Sequence, residues 1–382
     1  MIPSFKSLAL LALSTLSETA SASPLYARAS SKSNDTIVFT NSNGLQFSHM
    51  NGSLPNITIF ATGGTIAGSD DDATATAGYK AGAVGIQKLI DAVPQILNKA
   101  NVAGIQVSNV GSEDVTTKIQ LNISNHINEY VCNDPTMQGA VITHGTDTLE
   151  ETAFFMDATV NCSKPVVVVG AMRPSTAISA DGPYNLLEAV TVAASPKARD
   201  RGAMVVMNDR IVSAYYVTKT NANTMDTFKA IEMGNLGQVI SDKPYFFFPP
   251  SFPTGRHVVD VRNITSIPRV DIHYADTDMP VDLLHDSIRH GAKGIVIGGA
   301  GAGGVTTPFS DAAEKIMKEK NIPFVFSYRT GSGEVPAADV VTSAGAASGY
   351  LNPQKARILL ELLLAKGYNN TEIKNVFAKG TD

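Results

Sequence analysis

At 382 residues, with 43% hydrophobic and 17% charged side chains, the chain has material for a sizeable core, in two domains more readily than one. That composition excludes wholesale disorder. A net charge of −5, with no Lys/Arg run longer than two, excludes the basic footprint of a nucleic-acid binder.

Residues 1–22 read as a cleaved signal peptide. Lys6 precedes an apolar run from Leu8 to Leu16, and Ala20-Ser21-Ala22 supplies the small side chains of a cleavage site. The run is too short to span a bilayer. The most apolar later stretch, ILLELLLA (358–365), is interrupted by Glu361 and started by Asn352-Pro353 as a capped amphipathic helix. A secreted protein without a membrane span is expected, placed in the medium, cell wall or periplasm. Seven N-x-S/T sequons, at Asn34, Asn51, Asn56, Asn122, Asn161, Asn263 and Asn369, suit an exported glycoprotein. Cys132 and Cys162 are the only cysteines. An oxidising compartment favours a disulfide between them; two buried free thiols are the alternative.

Residues 23–54, rich in Ser and Asn with little periodicity, read as a loosely attached arm. From residue 55 short apolar runs alternate with helical patterns. NITIFA is followed by a glycine loop and then by VGIQKLIDAVPQIL (84–97). GAVITHG precedes TLEETAFFMDATV, in which Leu149, Ala153, Met156 and Val160 share a face, and KPVVVVGA precedes PYNLLEAVTVAA. Such β-branched runs suit parallel strands covered by helices. The fold class is α/β: a larger N-terminal domain with a parallel, flavodoxin- or Rossmann-like sheet over 55–242, and a smaller C-terminal α/β domain over 269–382. The stretch between them, 243–268, holds clustered aromatics and five prolines if Pro268 is counted, and reads as a linker.

Three motifs sit where open α/β sheets place ligands, at the carboxyl ends of strands. ATGGTIAG (61–68) matches neither the dinucleotide nor the nucleoside-triphosphate glycine pattern. It is either a structural turn or a loop presenting hydroxyls and N–H groups. THGTDT (143–148) brings His144, Thr146 and Asp147 to a strand end. Asp147-Thr148 reads first as a helix cap, and His144, lacking a hydrolase elbow nearby, as structural. VTKTN (217–221) puts Lys219 in an apolar setting where a buried ammonium needs a carboxylate, and Asp147 is the candidate. The histidines and cysteines show no metal-ligand spacing, and no cofactor signature is present.

TGGT after a first strand, then HGTDT, VGAMRP and TKTN in that order, resembles the bacterial-type L-asparaginases, most closely their exported type II branch. The resemblance runs from about Leu54 to the helix that begins LNPQKARILL. It implies homotetramers and hydrolysis of L-asparagine to L-aspartate and ammonia without metal or cofactor. It further implies that Thr65 is the nucleophile and that Tyr79 on the loop hydrogen-bonds it. Thr146, Asp147 and Lys219 correspond to the second hydroxyl, carboxylate and ammonium of the site. Gly64, Ser112, Glu113, Gly145, Thr146, Asp147 and Ala171 correspond to substrate contacts. Cys132 and Cys162 fall where that branch carries its disulfide. Gly63-Gly64 is expected to act as a hinge letting the loop close, and the acidic run Asp70–Asp72 as a solvated lid.

Three positions depart from the pattern. Glu113 stands where many members have glutamine, and Gly304 where they offer Asn or Ser. Glu334 and Asp339 are the candidates for an acid donated to a neighbouring subunit's site. A catalytically weakened, amino-acid-binding family member is the alternative these changes leave open.

Overall fold

The computed structural model describes residues 37–74, 81–337 and 345–380. In chain order the strands are β1 (Phe39–Thr40), β2 (Gln46–Phe47), β3 (Asn56–Gly63), β4 (Asn101–Val110), β5 (Met137–Thr143), β6 (Val166–Val169), β7 (Ala203–Met207) and β8 (Arg210–Ser213). They continue with β9 (Thr218–Lys219), β10 (Phe228–Lys229), β11 (Gly237–Ile240), β12 (Lys243–Phe246), β13 (Val270–Tyr274), β14 (Gly294–Gly299), β15 (Phe324–Tyr328) and β16 (Ala346–Ala347). The helices are α1 (Ile86–Ala92), α2 (Thr117–His126), α3 (Leu149–Thr159), α4 (Gly182–Ala194), α5 (Asp282–Arg289), α6 (Thr307–Lys320), α7 (Pro353–Ala365) and α8 (Asn370–Ala378).

A large sheet runs β1-β2-β4-β3-β5-β6-β7-β8-β11-β12. Its centre is parallel: β3 pairs with β4 and β5, β5 with β6, and β6 with β7. The apolar runs read from sequence are these strands, and every residue of β6 and β7 is buried, as expected for strands covered on both faces. A smaller sheet, β13-β14-β15-β16, is parallel throughout. α7 packs on this sheet and also against α3 of the large domain. That second contact explains why α3 buries nearly its whole circumference rather than the single face that its spacing suggests.

Two boundaries differ from the sequence reading. The arm assigned to 23–54 contains β1 and β2, which extend the large sheet through an antiparallel pairing of Phe47 with Ala103. Leu45 and Phe47 are buried, and Asn41 donates to the Asp134 carboxylate at 3.0 Å. Two-residue strands leave no period to detect, so composition alone spoke for an arm. The linker assigned to 243–268 begins with β12, the sheet's last strand. Beyond it the chain stays tied down. Buried Arg201 donates to the carbonyls of Phe248 and Pro249, its guanidinium lies 4.1 Å from the centre of the Phe246 ring, and Val259 and Val261 are buried.

α4 grips the β7–β8 hairpin, whose Asn208 and Asp209 both take positive φ. Asn208 N–H donates to Asn185 Oδ1 at 3.1 Å, and Asp209 N–H to the buried Glu188 carboxyl at 3.2 Å. Burial, reinforced by the Asp209 carboxyl, pushes the Glu188 pKa up to about 8. A carboxyl whose folded pKa is raised contributes stability that is fully present below its unfolded pKa and lost as pH rises through about 8. Glu188→Gln, which copies the protonated shape, is therefore expected to raise the melting temperature at pH 8 by several degrees while changing it little at pH 4.5. Thermal scans across that interval check the slope.

Candidate active site

β3 lies between β4 on one side and β5 on the other, so chain order reverses across it and a crevice opens beyond the carboxyl ends of β3 and β5. The register sets Ala61 beside Thr143, and Thr62 Oγ1 donates to the Thr143 carbonyl at 3.0 Å. Thr62 thus stays with the strand end. The two strands then release their loops side by side.

Gly63 and Gly64 are the residues that let those loops touch. Both have positive φ, 108° and 74°, which costs a side-chain-bearing residue free energy. A β-carbon on Gly64 would stand 2.1 Å from the Gly145 nitrogen, and one on Gly63 would stand 2.6 Å from the backbone of Val110. Gly145 is equally confined, its β-position 2.9 Å from Gly64 Cα and from Ser112 Oγ. The glycine pair thus serves a close backbone approach. Gly64 N–H donates to the Val110 carbonyl, and its own carbonyl accepts from Gly82 and Ala67. The next residue, Thr65, opens a short 3-10 turn and is buried.

Thr146 and Asp147 follow Gly145 directly. Lys219, on the two-residue ribbon β9–β10, reaches across to donate to Thr146 Oγ1 at 3.0 Å and to Asp147 Oδ1 at 2.5 Å. Lys219 is largely covered, its side chain 13% exposed, while that of Asp147 is 67% exposed and opens to the crevice. The pairing inferred from the apolar surroundings of Lys219 is therefore present. The helix-cap reading of Asp147-Thr148 is not. Thr148 occupies the N-cap position before α3, but its side chain caps nothing; its hydroxyl donates to the Ser112 carbonyl at 2.6 Å. Ser112 Oγ in turn accepts from Asp147 N–H at 3.1 Å. Ser112 thus braces the two residues after Thr146. Glu113 is exposed, with its carboxylate folded back over Gly111.

His144 is structural. Its Nδ1 lies 2.7 Å from the Gly145 carbonyl and its Nε2 2.9 Å from Thr152 Oγ1, which also accepts from Gln120 at 3.1 Å. The Gly145 carbonyl can only accept, so the proton of the neutral ring sits on Nδ1, and Nε2 accepts from the Thr152 hydroxyl. Complete burial lowers the His144 pKa to about 4, so the ring is neutral at physiological pH and fixes the loop.

Ala171 lies fully buried in the third loop, after β6. Sequence reasoning missed what holds that loop. The Asp181 carboxylate accepts from the N–H groups of Met172 and Arg173, each at 3.0 Å, and Asn185 donates to the Gly170 carbonyl and to Asp181. Asp181 before Gly182-Pro183 has the look of a helix cap but caps no helix N–H; an aspartate at such a start was the only available signal. The same loop straps the segment that follows the 3-10 turn. Ser175 donates twice to the Gly68 carbonyl, Asp70 N–H donates to Thr176 Oγ1 at 3.0 Å, and Ile178 N–H to the Ala73 carbonyl at 2.9 Å. Tyr79 and Asp339 lie outside the described residues. Cys132, at the end of a π-helical extension of α2, is bonded to Cys162.

The site as a whole offers a largely covered ammonium bound to a hydroxyl and a carboxylate, with a second threonine on the abutting loop. Such a set can activate an oxygen nucleophile and accept a developing oxyanion. Comparison with known proteins agrees. Residues 56–251 match the family model "Asparaginase, N-terminal" and residues 269–377 the "Glutaminase/Asparaginase C-terminal domain". The chain is 49% identical over 337 residues to "Probable L-asparaginase 1" of Schizosaccharomyces pombe, covering 88% of this chain and 92% of that protein. It is 49% identical over 329 residues to "L-asparaginase 2" of Bacillus subtilis, covering 85% and 86%. The crystal structure of a "Probable Cytoplasmic L-asparaginase" from Campylobacter jejuni superposes with a TM-score of 0.79 at 40% identity, covering 85% of this chain and 99% of that one. Glycine-mediated loop contact, the Lys219 triad and both matched domains lead to one assignment: the chain belongs to the asparaginase family.

Proposed function

We propose that the protein hydrolyses the side-chain amide of L-asparagine to L-aspartate and ammonia, with L-glutamine a minor substrate. The observation that carries the reading is the position of Lys219, bonded at once to Thr146 Oγ1 and Asp147 Oδ1 in the crevice where Gly64 meets Gly145. Thr65 Oγ attacks the amide carbon, and its proton passes to the Thr146–Asp147–Lys219 group. The tetrahedral oxyanion is met by N–H groups of the abutting loops. The C–N bond breaks as the nitrogen takes a proton and leaves as ammonia. Water then attacks the Thr65 ester, releasing aspartate and restoring the hydroxyl. Asp147, with Glu113, receives the substrate ammonium; Ser112 contacts its carboxylate; the Ala171 carbonyl receives the leaving amide.

The exported type II assignment rests on the sequence of residues 1–22 and on the sequons. Asn51, Asn122, Asn161, Asn263 and Asn369 are exposed. Asn56 is engaged, donating to the Thr136 carbonyl and accepting from Asn101, and Asn34 lies outside the described residues. Secretion as a glycosylated homotetramer belongs to this proposal. Among the described residues no helix is long and apolar enough to cross a membrane.

Ammonia release from asparagine and from glutamine, measured on the purified protein, tests the activity. Asparagine is expected to be turned over faster. Saturable asparagine binding without any ammonia would overturn the proposal in favour of a binding protein.

A further inference from the structure

Lys355 is one of the most deeply buried charged side chains of the molecule, at 1% exposure. It sits in the first turn of α7, within the stretch matched by the C-terminal family domain, yet its ammonium points into the N-terminal one. It donates to the Tyr215 carbonyl at 3.1 Å and to the Val217 carbonyl. Both carbonyls belong to buried residues of the turn between β8 and β9, and Lys219 lies two residues beyond Val217. On its far side Lys219 is held by the two-residue ribbon with β10 and by the bonds of Thr220 and Asn221 to Thr227.

The neighbours of Lys355 extend the grip. Asn352 caps α7 by accepting from Lys355 N–H, and its amide lies 3.4 Å from the Glu150 carboxylate and 3.5 Å from Thr218 Oγ1. Gln354 donates to the other Glu150 oxygen at 2.6 Å. Glu150 is in the first turn of α3, three residues after Asp147. One helical turn thus touches both segments that supply the active pair, the root of the Lys219 strand and the helix that follows Asp147.

We propose that Lys355 is a positioning residue, an ammonium clamp through which the C-terminal domain fixes the reach of Lys219 to Thr146 and Asp147. This rests on the asparaginase reading above. Burial lowers the Lys355 pKa to about 8, offset by the charges of Glu150 and Asp157, so the clamp is cationic at neutral pH. Two buried carbonyls facing one ammonium set the height of the turn, because removing the donor leaves both without it. The effect reaches chemistry through Lys219 and touches no substrate atom.

The test compares Lys355→Met, Lys219→Met and the double variant, assayed for ammonia release well below their melting temperatures. For Lys355→Met, kcat is expected to fall by about 10- to 100-fold with KM for asparagine changed by less than about threefold. In the Lys219→Met background the same change is expected to cost almost nothing further, since both act on one group. Lys355→Met with wild-type kcat, or an undiminished fold-loss in the double variant, overturns the clamp. Should Lys355→Met not fold, Glu150→Gln, which keeps the shape and removes the counter-charge of Lys355, carries the same comparison. A wild type that releases no ammonia overturns the asparaginase reading and the clamp with it; an active wild type beside unaffected variants overturns the clamp alone.

Discussion

Thr65→Ala is expected to lower kcat for asparagine by at least about 10³-fold, equivalent to about 4 kcal/mol of transition-state stabilisation. On the proposed mechanism the substitution deletes the hydroxyl that forms the ester. The position lies in a 3-10 turn that keeps two backbone bonds in the variant, Gly68 N–H to the Thr65 carbonyl at 2.8 Å and Ala67 N–H to the Gly64 carbonyl. Folding and substrate affinity are expected to survive. The melting temperature should stay near that of the wild type, and asparagine should still bind in calorimetry without the heat of turnover. Thr65→Ser separates the roles of oxygen and methyl group and should retain measurable activity. An alanine variant as fast as the wild type would remove Thr65 from the chemistry and pass the nucleophile's role to another hydroxyl, with Thr146 next in line.

Gly64→Ala is expected to be nearly as damaging for a different reason. Its methyl group would stand 2.1 Å from the Gly145 nitrogen and 2.2 Å from Gly145 Cα. No rotamer relieves this, since the obstacle is backbone on a loop that His144 and Ser112 hold from behind. The positive φ adds roughly 1–2 kcal/mol. The two loops must part by about an ångström, which separates Thr65 from Thr146; misplacement on that scale costs about 10²-fold in rate. Lowered kcat together with a lowered melting temperature is the expected signature. By contrast Gly304→Ala, at a position with open space around its β-carbon, should leave the melting temperature unchanged.

Much of the site was legible because its parts are local. Each motif combines a strand end, one or two small residues that permit close approach, and the hydroxyl or charge displayed next to them. The pairing of Lys219 with Asp147 was readable from solvation alone, since an ammonium in apolar surroundings needs a carboxylate. What escaped was non-local. The Thr148 hydroxyl had a cap position within reach and instead took the Ser112 carbonyl, 36 residues away in sequence. Asp181 likewise bonds the Met172 and Arg173 N–H groups rather than the N–H groups of its own helix. Local propensity favours the cap in both cases, and the tertiary partner won. The close approach that the glycine pair serves was not readable either, because one sequence cannot show the backbone it faces. Lys355 gave no signal, as an isolated lysine in an amphipathic helix normally faces water.

The two short strands at the start of the described chain bear on how the protein is made. β2 pairs with the outer side of β4 and seats Phe47 in the core. A recombinant version begun at Asn56, where the matched family domain starts, would strip β4 of that cover. An uncovered strand bordering a wide parallel sheet is a template for another chain to add to. Such a shortened protein should express with its proposed catalytic residues complete and still precipitate, whereas one begun at Ile37 should stay in solution.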